Sequence, residues 1–167
     1  LIRLKRPSRI LEIGTAVGYS AACMALACEN CRIVTIESDS GMERRARSNI
    51  RRLGLDERIQ VLQGKAQELL DGELFRNAPE PYDLVFIDAA KSHYRTFWEK
   101  TVPLCGAGAI ILCDNVLMRG TTVSEEYDPK NKFRTSIRRM REFLAFLSET
   151  QIADTSILPV GDGVSIS

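Results

Sequence analysis

Short apolar runs alternate with longer stretches of helical periodicity over the first two thirds of the chain. Five runs rich in Ile, Leu and Val have the composition of buried β-strands. They cover residues 9–13, 32–36, 59–62, 83–87 and 109–113. Between them, residues 20–28, 41–53, 66–75 and 94–101 have the pattern of helices. Strands separated by helices form parallel neighbours, because a parallel connection needs a long crossover. The pattern therefore predicts a parallel sheet with helices on both faces.

The last third of the chain departs from this alternation. Residues 133–147 carry apolar side chains at the spacing of an amphipathic helix, namely Phe133, Ile137, Met140, Phe143, Leu144 and Leu147. Two β-rich runs, residues 152–158 and 164–167, then flank a turn containing Asp162-Gly163, a pair that favours hairpins. We therefore predict an α/β fold whose mostly parallel, seven-stranded sheet ends in an antiparallel hairpin.

Length and composition fit a single globular domain spanning residues 1–167. Apolar residues make up 44% and charged residues 27% of the chain, which argues against a disordered or fibrous protein. The 23 basic residues nearly cancel the 22 acidic ones, so the net charge is +1. This net charge excludes a protein that binds its partner by the overall attraction of a polycation. Any contact with nucleic acid must therefore depend on a local patch of basic residues.

The sequence pattern predicts neither a membrane span nor a secretory signal. No apolar run reaches the roughly 18 to 20 residues that cross a bilayer, and no signal-peptide pattern follows the basic N-terminal residues. The five cysteines lie mostly in apolar stretches, as expected of reduced thiols. We therefore expect a cytoplasmic protein. The chain opens without Met, so we also expect that upstream residues are missing.

In an open α/β sheet the ligand lies beyond the carboxyl ends of the strands. The first strand is followed by Gly14 and Gly18, which allow a tight turn and close backbone approach. The second is followed by Glu37, an acidic side chain that can accept both hydroxyls of a ribose. Together they favour a nucleoside cofactor, although a structural turn and a helix-capping or solvated carboxylate explain the same residues.

The fourth and fifth strands end in Asp88 and in Asp114-Asn115. Neighbouring strand ends bring these side chains together, and their oxygens are the ligands that Mg²⁺ or another hard divalent cation prefers. A helix cap and a turn are the alternatives for each segment alone, but two acidic strand ends side by side repel one another without a cation. Lys91, three residues after Asp88, is either a general base for a metal-bound hydroxyl or an exposed lysine of no special role.

At these residues the sequence resembles the class I S-adenosylmethionine methyltransferases, and among them the metal-dependent O-methyltransferases of the catechol and caffeoyl-CoA type. Segments 10–20, 85–91 and 114–116 match the three signature blocks of that family in order, and the similarity runs from about Ser8 to the end. The resemblance implies a Rossmann-like fold, S-adenosyl-L-methionine as cofactor and Mg²⁺ or another divalent cation at the active site. The N-terminal helices that help to cover the cofactor in the family have no counterpart in this chain.

The resemblance also assigns roles by position. Gly14, Gly18 and Ser20 would hold the methionine part of the cofactor, Glu37 its ribose, Lys65 and Ala66 its adenine through backbone contacts, and Asp88, Asp114 and Asn115 the metal. Asp88 would also face the cofactor, and with Lys91, which would take the proton, it forms the expected catalytic pair. Lys65 replaces an acidic residue common in the family, so a side-chain contact to the adenine amine is not implied.

The flanks of the signature blocks look most like those of bacterial tRNA 5-hydroxyuridine methyltransferases, in segment 114–120, in the basic stretch after Pro129 and in segment 159–167. This resemblance implies methyl transfer to 5-hydroxyuridine at the tRNA wobble position, with the tRNA anticodon loop as partner, and we expect a homodimer. A small catechol-like substrate is the alternative. A non-catalytic nucleoside or RNA binder is a second alternative.

Basic residues concentrate in two clusters. The first comprises Arg119, Lys130, Lys132, Arg134, Arg138, Arg139 and Arg141, and a phosphate contact and a solvated helix face explain it equally well. The second comprises Arg44, Arg45, Arg47, Arg51, Arg52 and Arg58 and is interpreted as the polar face of a helix. Tyr127 and Phe133 could stack on a base, though Phe133 fits the apolar stripe better. His93 is interpreted as a helix-surface residue.

Overall fold

Seven strands form one mixed sheet in the computed structural model, which describes residues 1–78, 80–128 and 133–167, at Glu125 through its backbone alone. The strands are β1 Arg9–Ile13, β2 Arg32–Glu37, β3 Ile59–Gln63, β4 Tyr82–Ile87, β5 Cys105–Asp114, β6 Ser156–Leu158 and β7 Val164–Ile166. Their order is β3-β2-β1-β4-β5-β7-β6, with β1 to β5 parallel and β7 antiparallel to both of its neighbours. The predicted fold class is confirmed.

Helices cover both faces of this sheet. They are α1 Ile2–Lys5, α2 Tyr19–Ala27, α3 Ser40–Arg52, α4 Ala66–Leu69, α5 Glu73–Arg76, α6 Tyr94–Thr101 and α7 Arg134–Glu149. Successive residues of a strand point to opposite faces: Ile10 packs in the core beside α2 and α3, and Leu11 packs in the core beside α6 and α7. No helix in the described ranges is long and apolar enough to span a membrane.

The register of the sheet brings the predicted site residues to one edge. Ile13 at the end of β1 pairs with Ile36 of β2 and with Ile87 of β4, and Ile87 pairs with Cys113 of β5. The strand order reverses beside β1, which is where open α/β sheets form their ligand crevice. The loops that follow β1, β2, β4 and β5 therefore open into one region.

Three predicted elements and one residue differ from the structure. The strand predicted over residues 109–113 begins four residues earlier, as β5 Cys105–Asp114. The helix predicted over residues 66–75 is two short helices, α4 and α5, because the chain turns at Asp71-Gly72 and the Gly72 N–H bonds to Leu69 O at 2.9 Å. The strand predicted over residues 152–158 shortens to β6. Phe133 lies at the N-terminal cap of α7 with 52% of its surface exposed, so its assignment to the apolar stripe was wrong.

The predicted C-terminal hairpin supports the loop that follows β5. Leu158 of β6 pairs with Val164 of β7, and the turn between them bonds back to that loop. Val116 N donates to Gly163 O and Leu117 N to Asp162 O, both at 3.0 Å. The hairpin therefore holds the segment immediately after Asp114-Asn115 through backbone bonds.

Candidate active site

The turn after β1 is pressed against the backbone of Asp88. Gly14 has a φ of +105°, and a Cβ at this position would lie 2.0 Å from the Asp88 carbonyl oxygen. Gly18 has a φ of +83° and packs against Ala46 of α3, where a Cβ would come within 3.4 Å. Positive φ and close approach both demand glycine, so the two glycines shape the turn itself.

Glu37 ties this turn to the end of β2. Its carboxylate accepts the Ala16 N–H at 2.8 Å and the Asp39 N–H at 2.9 Å. The cap of α3 is Asp39, which accepts the Met42 N–H at 2.7 Å. The helix-capping alternative for Glu37 is therefore wrong, and its carboxylate stands at the edge of a cleft with further lone pairs available.

A cleft of about 410 Å³ opens at the ends of β1 to β4. Among the residues that line it are the predicted Gly14, Glu37, Lys65, Ala66 and Asp88. Gly18 and Ser20 do not line it; they lie in the turn and in the first residues of α2. His93 and Phe97 close one side, with ring centroids 5.9 Å apart. His93 thus faces the cleft, a position the sequence did not indicate.

Glu12 lies in β1 two residues before Gly14; it does not line the cleft, and sequence reasoning did not single it out as a functional group. It has no exposed surface, and its Oε1 atom has no hydrogen-bond partner among the described residues, while Oε2 accepts from Thr35. Burial raises its pKa to about 7, although the hydroxyls of Ser20 and Thr35 oppose the rise. An unsatisfied buried carboxylate oxygen is costly, so the atom fits a cationic ligand group. The available signal was an acid within the apolar run Ile10 to Ile13.

Lys91 lies between the two acidic strand ends. Its Nζ donates to Asp88 Oδ1 and to Asn115 Oδ1, each at 2.9 Å, and contacts the Asp114 carbonyl oxygen at 3.3 Å. A cation at this position therefore contacts oxygens from the ends of both β4 and β5. The positive charge of the ammonium also offsets the expected repulsion between the two acidic strand ends. That repulsion alone is therefore no longer an argument for a bound metal.

The donor set nevertheless fits a divalent cation. It comprises two carboxylates and one amide oxygen, which match the preference of Mg²⁺ for oxygen ligands. Asn115 has a φ of +57°, a conformation that Asn tolerates better than most residues. The Asp114 carboxylate accepts the Asn115 N–H at 2.7 Å and so turns toward that backbone. The described residues contain no group of three His, Cys, Asp or Glu side chains that could hold a metal, since this set has two acids and an amide.

Tyr94 holds the Lys91 ammonium in place through a hydrogen bond. It has no exposed surface, and its hydroxyl accepts from Lys91 Nζ at 2.6 Å and donates to the Asp114 carbonyl oxygen at 2.9 Å. Burial raises the pKa of this phenol above its usual value, so it stays a neutral donor. Its ring stacks edge-on against Phe143 of α7, with centroids 5.9 Å apart. The lysine is thus attached to the core.

The first basic cluster is partly used within the fold. Arg141 donates to the carbonyls of Thr121 and Thr122, and both Arg138 and Arg139 pair with Glu142. Arg119 and Arg134 make no side-chain bond to a described residue. Arg134 lines a cleft of about 790 Å³ between α7 and the segment before it. Lys130 and Lys132, which were predicted to belong to this cluster, lie outside the described residues.

The strand order and the cleft beside β1 define the class I methyltransferase fold. The sequence pattern of the O-methyltransferase family matches residues 1–167. The chain therefore belongs to the O-methyltransferase family, and the resemblance inferred from the signature blocks is confirmed. Membership in an enzyme family also argues against the non-catalytic binder.

Individual relatives cover most of the chain. Catechol O-methyltransferase from Niastella koreensis is 34% identical over 159 residues, which are 95% of this chain and 69% of the relative. Caffeoyl-CoA O-methyltransferase from Populus kitakamiensis is 32% identical over 171 residues, with 99% and 72% covered. The crystal structure of the O-methyltransferase from Bacillus cereus in complex with SAH has a TM-score of 0.86 at 29% identity, with 99% and 75% covered.

Proposed function

We propose that this chain transfers the methyl group of S-adenosylmethionine, in an Mg²⁺-dependent reaction, to an acceptor that presents two adjacent oxygens. The acceptor we propose first is 5-hydroxyuridine at the wobble position of tRNA. The observation that carries the proposal is the convergence of Asp88, Asn115 and Lys91 beside a cleft that also contains Glu37. One edge of the sheet thus holds residues suited to a nucleoside, a cation and a proton.

Three residues of the cleft, together with Glu12 of β1, would each hold a different part of the cofactor. Glu37 has lone pairs left for the ribose hydroxyls after its two backbone bonds. Glu12 Oε1, which has no described partner, suits the ammonium of the methionine part. Lys65 and Ala66 line the cleft at the start of α4, where backbone can lie against adenine. The structure of the Bacillus cereus relative with SAH supports the same class of ligand.

Asp88, Asp114 and Asn115 are the residues that would hold Mg²⁺. When bound there, the cation lowers the pKa of an acceptor hydroxyl and orients an acceptor that has two neighbouring oxygens. Lys91 already contacts all three residues, at Asp114 through the carbonyl oxygen, so its Nζ is placed to take or hold the hydroxyl proton. Tyr94 limits the movement of that Nζ. Positioning of this kind supplies much of the rate enhancement in a direct displacement.

Two features support RNA as the acceptor. The 5-hydroxyl and O4 of 5-hydroxyuridine form the required pair of oxygens. Arg119 follows the Asp114-Asn115 motif by four residues, and Arg134 begins α7 beside the adjoining cleft. Neither side chain bonds to a described residue, so both remain suited to contact phosphate. The flanking resemblance to tRNA hydroxyuridine methyltransferases points in the same direction.

A catechol-type small phenol is the second candidate acceptor. It offers two adjacent hydroxyls and would use the same oxygens and the same lysine. The observation that favours it is the pair of relatives named catechol and caffeoyl-CoA O-methyltransferase, at 34% and 32% identity. The two candidate acceptors differ in the groups attached to the reacting ring. Only RNA carries phosphates there, and Arg119 and Arg134 are the residues suited to contact them.

The deciding experiment supplies both acceptors to the same protein. The chain is incubated with methyl-labelled S-adenosylmethionine and Mg²⁺. The acceptor is either catechol or tRNA whose wobble position carries 5-hydroxyuridine that has not been methylated. We expect label in 5-methoxyuridine after nuclease digestion. Label that enters catechol and never tRNA would overturn the RNA assignment and favour the second candidate.

Two changes test the chemistry of the site. A chelator should abolish transfer and added Mg²⁺ should restore it; a rate that ignores the chelator contradicts the metal assignment. Lys91→Ala should lower kcat by about 10² to 10⁴, the usual contribution of a positioned proton acceptor. Lys100→Ala removes an ammonium that pairs with Asp71 and does not line the cleft, so it is the matched control and should leave kcat within a few fold. Equal rates for the Lys91→Ala variant and the wild type would remove its assigned role.

A further inference from the structure

The structure divides the second arginine cluster into two kinds of residue. Arg47 bonds to the Glu43 carboxylate and to the Val61 carbonyl, and Arg58 donates to the carbonyls of Ala25, Cys28 and Glu29. These two arginines stabilise the fold. Arg44, Arg45, Arg51 and Arg52 make no side-chain hydrogen bond or ion pair with any described residue. The four therefore need a different explanation.

These four arginines lie on one side of α3. Residues seven apart on a helix differ by only about 20° in direction, and consecutive residues differ by about 100°. Arg44 with Arg51, and Arg45 with Arg52, therefore form two parallel rows within an arc of about 120°. Between Arg44 and Arg52, Ser48 is the remaining residue in that arc, and these five residues are exposed. We name this surface the arginine face of α3, defined by Arg44, Arg45, Arg51 and Arg52.

No carboxylate of α3 balances this charge. Glu43 is the only acidic residue of the helix, and it is 8% exposed and bonded to Arg47 on the inner side. In α7, by contrast, Arg138 and Arg139 share Glu142. Like charges at helical spacing destabilise a helix slightly. In a protein with a net charge of +1, four uncompensated arginines on three turns form a strong local field.

The buried side of α3 contacts the turn that follows β1, which contains Val17 and Gly18. Asn49 Nδ2 donates to the Val17 carbonyl at 3.0 Å, and Ala46 packs against Gly18. The helix begins three residues after Glu37 and packs against β2 and β3. The rows extend over about 10 Å, which is seven residues at 1.5 Å each. Arg44 and Arg45 lie in the second turn of the helix, so the rows start near the end of α3 that follows Glu37.

We infer that the arginine face of α3 binds the phosphodiester backbone of the acceptor RNA outside its reacting nucleotide. This inference rests on the proposed RNA methyltransferase function and adds the surface that docks the RNA. Guanidinium groups suit phosphate because their planar N–H donors match its oxygens. A membrane fits less well, because an interfacial helix must insert apolar side chains, and Ala46 and Ile50 are buried in the core.

The test compares two triple variants of equal net charge. Arg44→Gln/Arg45→Gln/Arg51→Gln removes most of the face, and Gln keeps the helix propensity close to that of Arg. Arg52 stays because it also lines a small cleft with Val17 and Tyr19. The control, Arg3→Gln/Arg32→Gln/Arg76→Gln, removes three exposed arginines from other elements. Thermal unfolding confirms that both variants fold.

The probe is a fluorescent anticodon stem-loop RNA with 5-hydroxyuridine at the wobble position, titrated by anisotropy over a series of NaCl concentrations. For the α3 variant we expect Kd to rise roughly tenfold or more, and the slope of log Kd against log salt to fall by about 2. The control should bind like the wild type. Equal losses in both variants, or no loss in either, would overturn the inference, as would tighter arginine-dependent binding of polyglutamate or anionic vesicles than of RNA.

The same proteins separate this inference from the proposed function. If the wild type binds the stem-loop through the arginine face but transfers no methyl group to 5-hydroxyuridine, the function fails and the surface stands. If the α3 variant methylates the RNA with an unchanged KM, the surface fails and the function stands.

Discussion

Glu12 lies within β1 without exposed surface, and its burial couples its ionisation to folding. The pKa rises from 4.5 to about 7, so the folded chain holds a proton that the unfolded chain releases earlier. The neutral carboxyl therefore contributes stability that is fully present below pH 4.5. That contribution is lost as the pH rises through about 7, and the charged form carries the desolvation cost at higher pH.

Glu12→Gln removes this pH dependence, because Gln has no proton to lose. Relative to the wild type, we expect the variant to gain about 3 kcal/mol of unfolding free energy between pH 4.5 and pH 8. Urea unfolding at a series of pH values measures the difference. Glu68→Gln alters a carboxylate whose side chain is 70% exposed and should show no such trend. Parallel curves for wild type and Glu12→Gln would contradict the prediction.

At this scale the sequence indicated residues whose position along the chain determines their place. Asp88, Asp114 and Asn115 directly follow strands, and parallel strand ends meet at one edge. The link from Lys91 to Asn115 spans 24 residues and depends on how two strand ends are oriented. The orphan oxygen of Glu12 likewise depends on packing. The spacing of residues along the sequence therefore predicts neither the contact of Lys91 with Asn115 nor the unpaired oxygen of Glu12.

At the scale of elements, the hairpin between β6 and β7 supports the loop that follows β5. Gly163 has a φ of +81°, and a Cβ there would lie 2.3 Å from Leu117 Cγ. The loop carries Arg119, whose N–H bonds to the Asp162 side chain. A side chain at Gly163 would therefore push the loop away from the hairpin.

Gly163→Ala should destabilise the chain by about 2–4 kcal/mol, from the left-handed φ and the steric clash together. Gly161→Ala is a control within the same turn, because its φ is +58° but its Cβ would have no atom within 4 Å. We expect it to cost only about 1–2 kcal/mol. Denaturant unfolding gives both values. Equal costs would show that the contact with Leu117 is unimportant.

Helices and strands were predictable where the apolar residues followed a single spacing along the segment. The apolar runs of β1, β2 and β4 are buried on both faces, and the Asp-Gly pair marked the hairpin. The break between α4 and α5 was hidden because Leu70 and Phe75 are both buried, which preserves the apolar pattern across the turn. Phe133 has helical spacing but lies at the N-terminal cap of α7, before its first turn, and 52% of its surface is exposed.

At the scale of the whole molecule, the cleft draws its walls from the ends of β1 to β4, so a ligand there should stabilise the entire sheet. S-adenosylmethionine at 100 times its Kd should add about 2.7 kcal/mol to the unfolding free energy. At the same concentration, methylthioadenosine, which lacks the amino acid part, should add less because it leaves Glu12 Oε1 without a partner. Thermal unfolding with each compound measures this, and identical shifts would contradict the role of Glu12.

The charge of the molecule is unevenly distributed despite a net value of +1. Arg47, Arg58 and Arg141 bond to backbone carbonyls and act as internal braces. The arginine face of α3 has no such partners among the residues that the structure describes. A count of charges in the sequence could not separate the two groups, since the distinction lies in which guanidinium groups reach a carbonyl.

The contact between Gly14 and the Asp88 carbonyl couples the turn after β1 to the loop after β4. Because there is no space for even one carbon between them, displacement of either backbone displaces the other. Substitutions at the two positions should therefore be non-additive: once Gly14→Ala has shifted this contact, Asp88→Asn has little activity left to remove. Redesign of this enzyme for another cofactor would have to treat both loops as a single part.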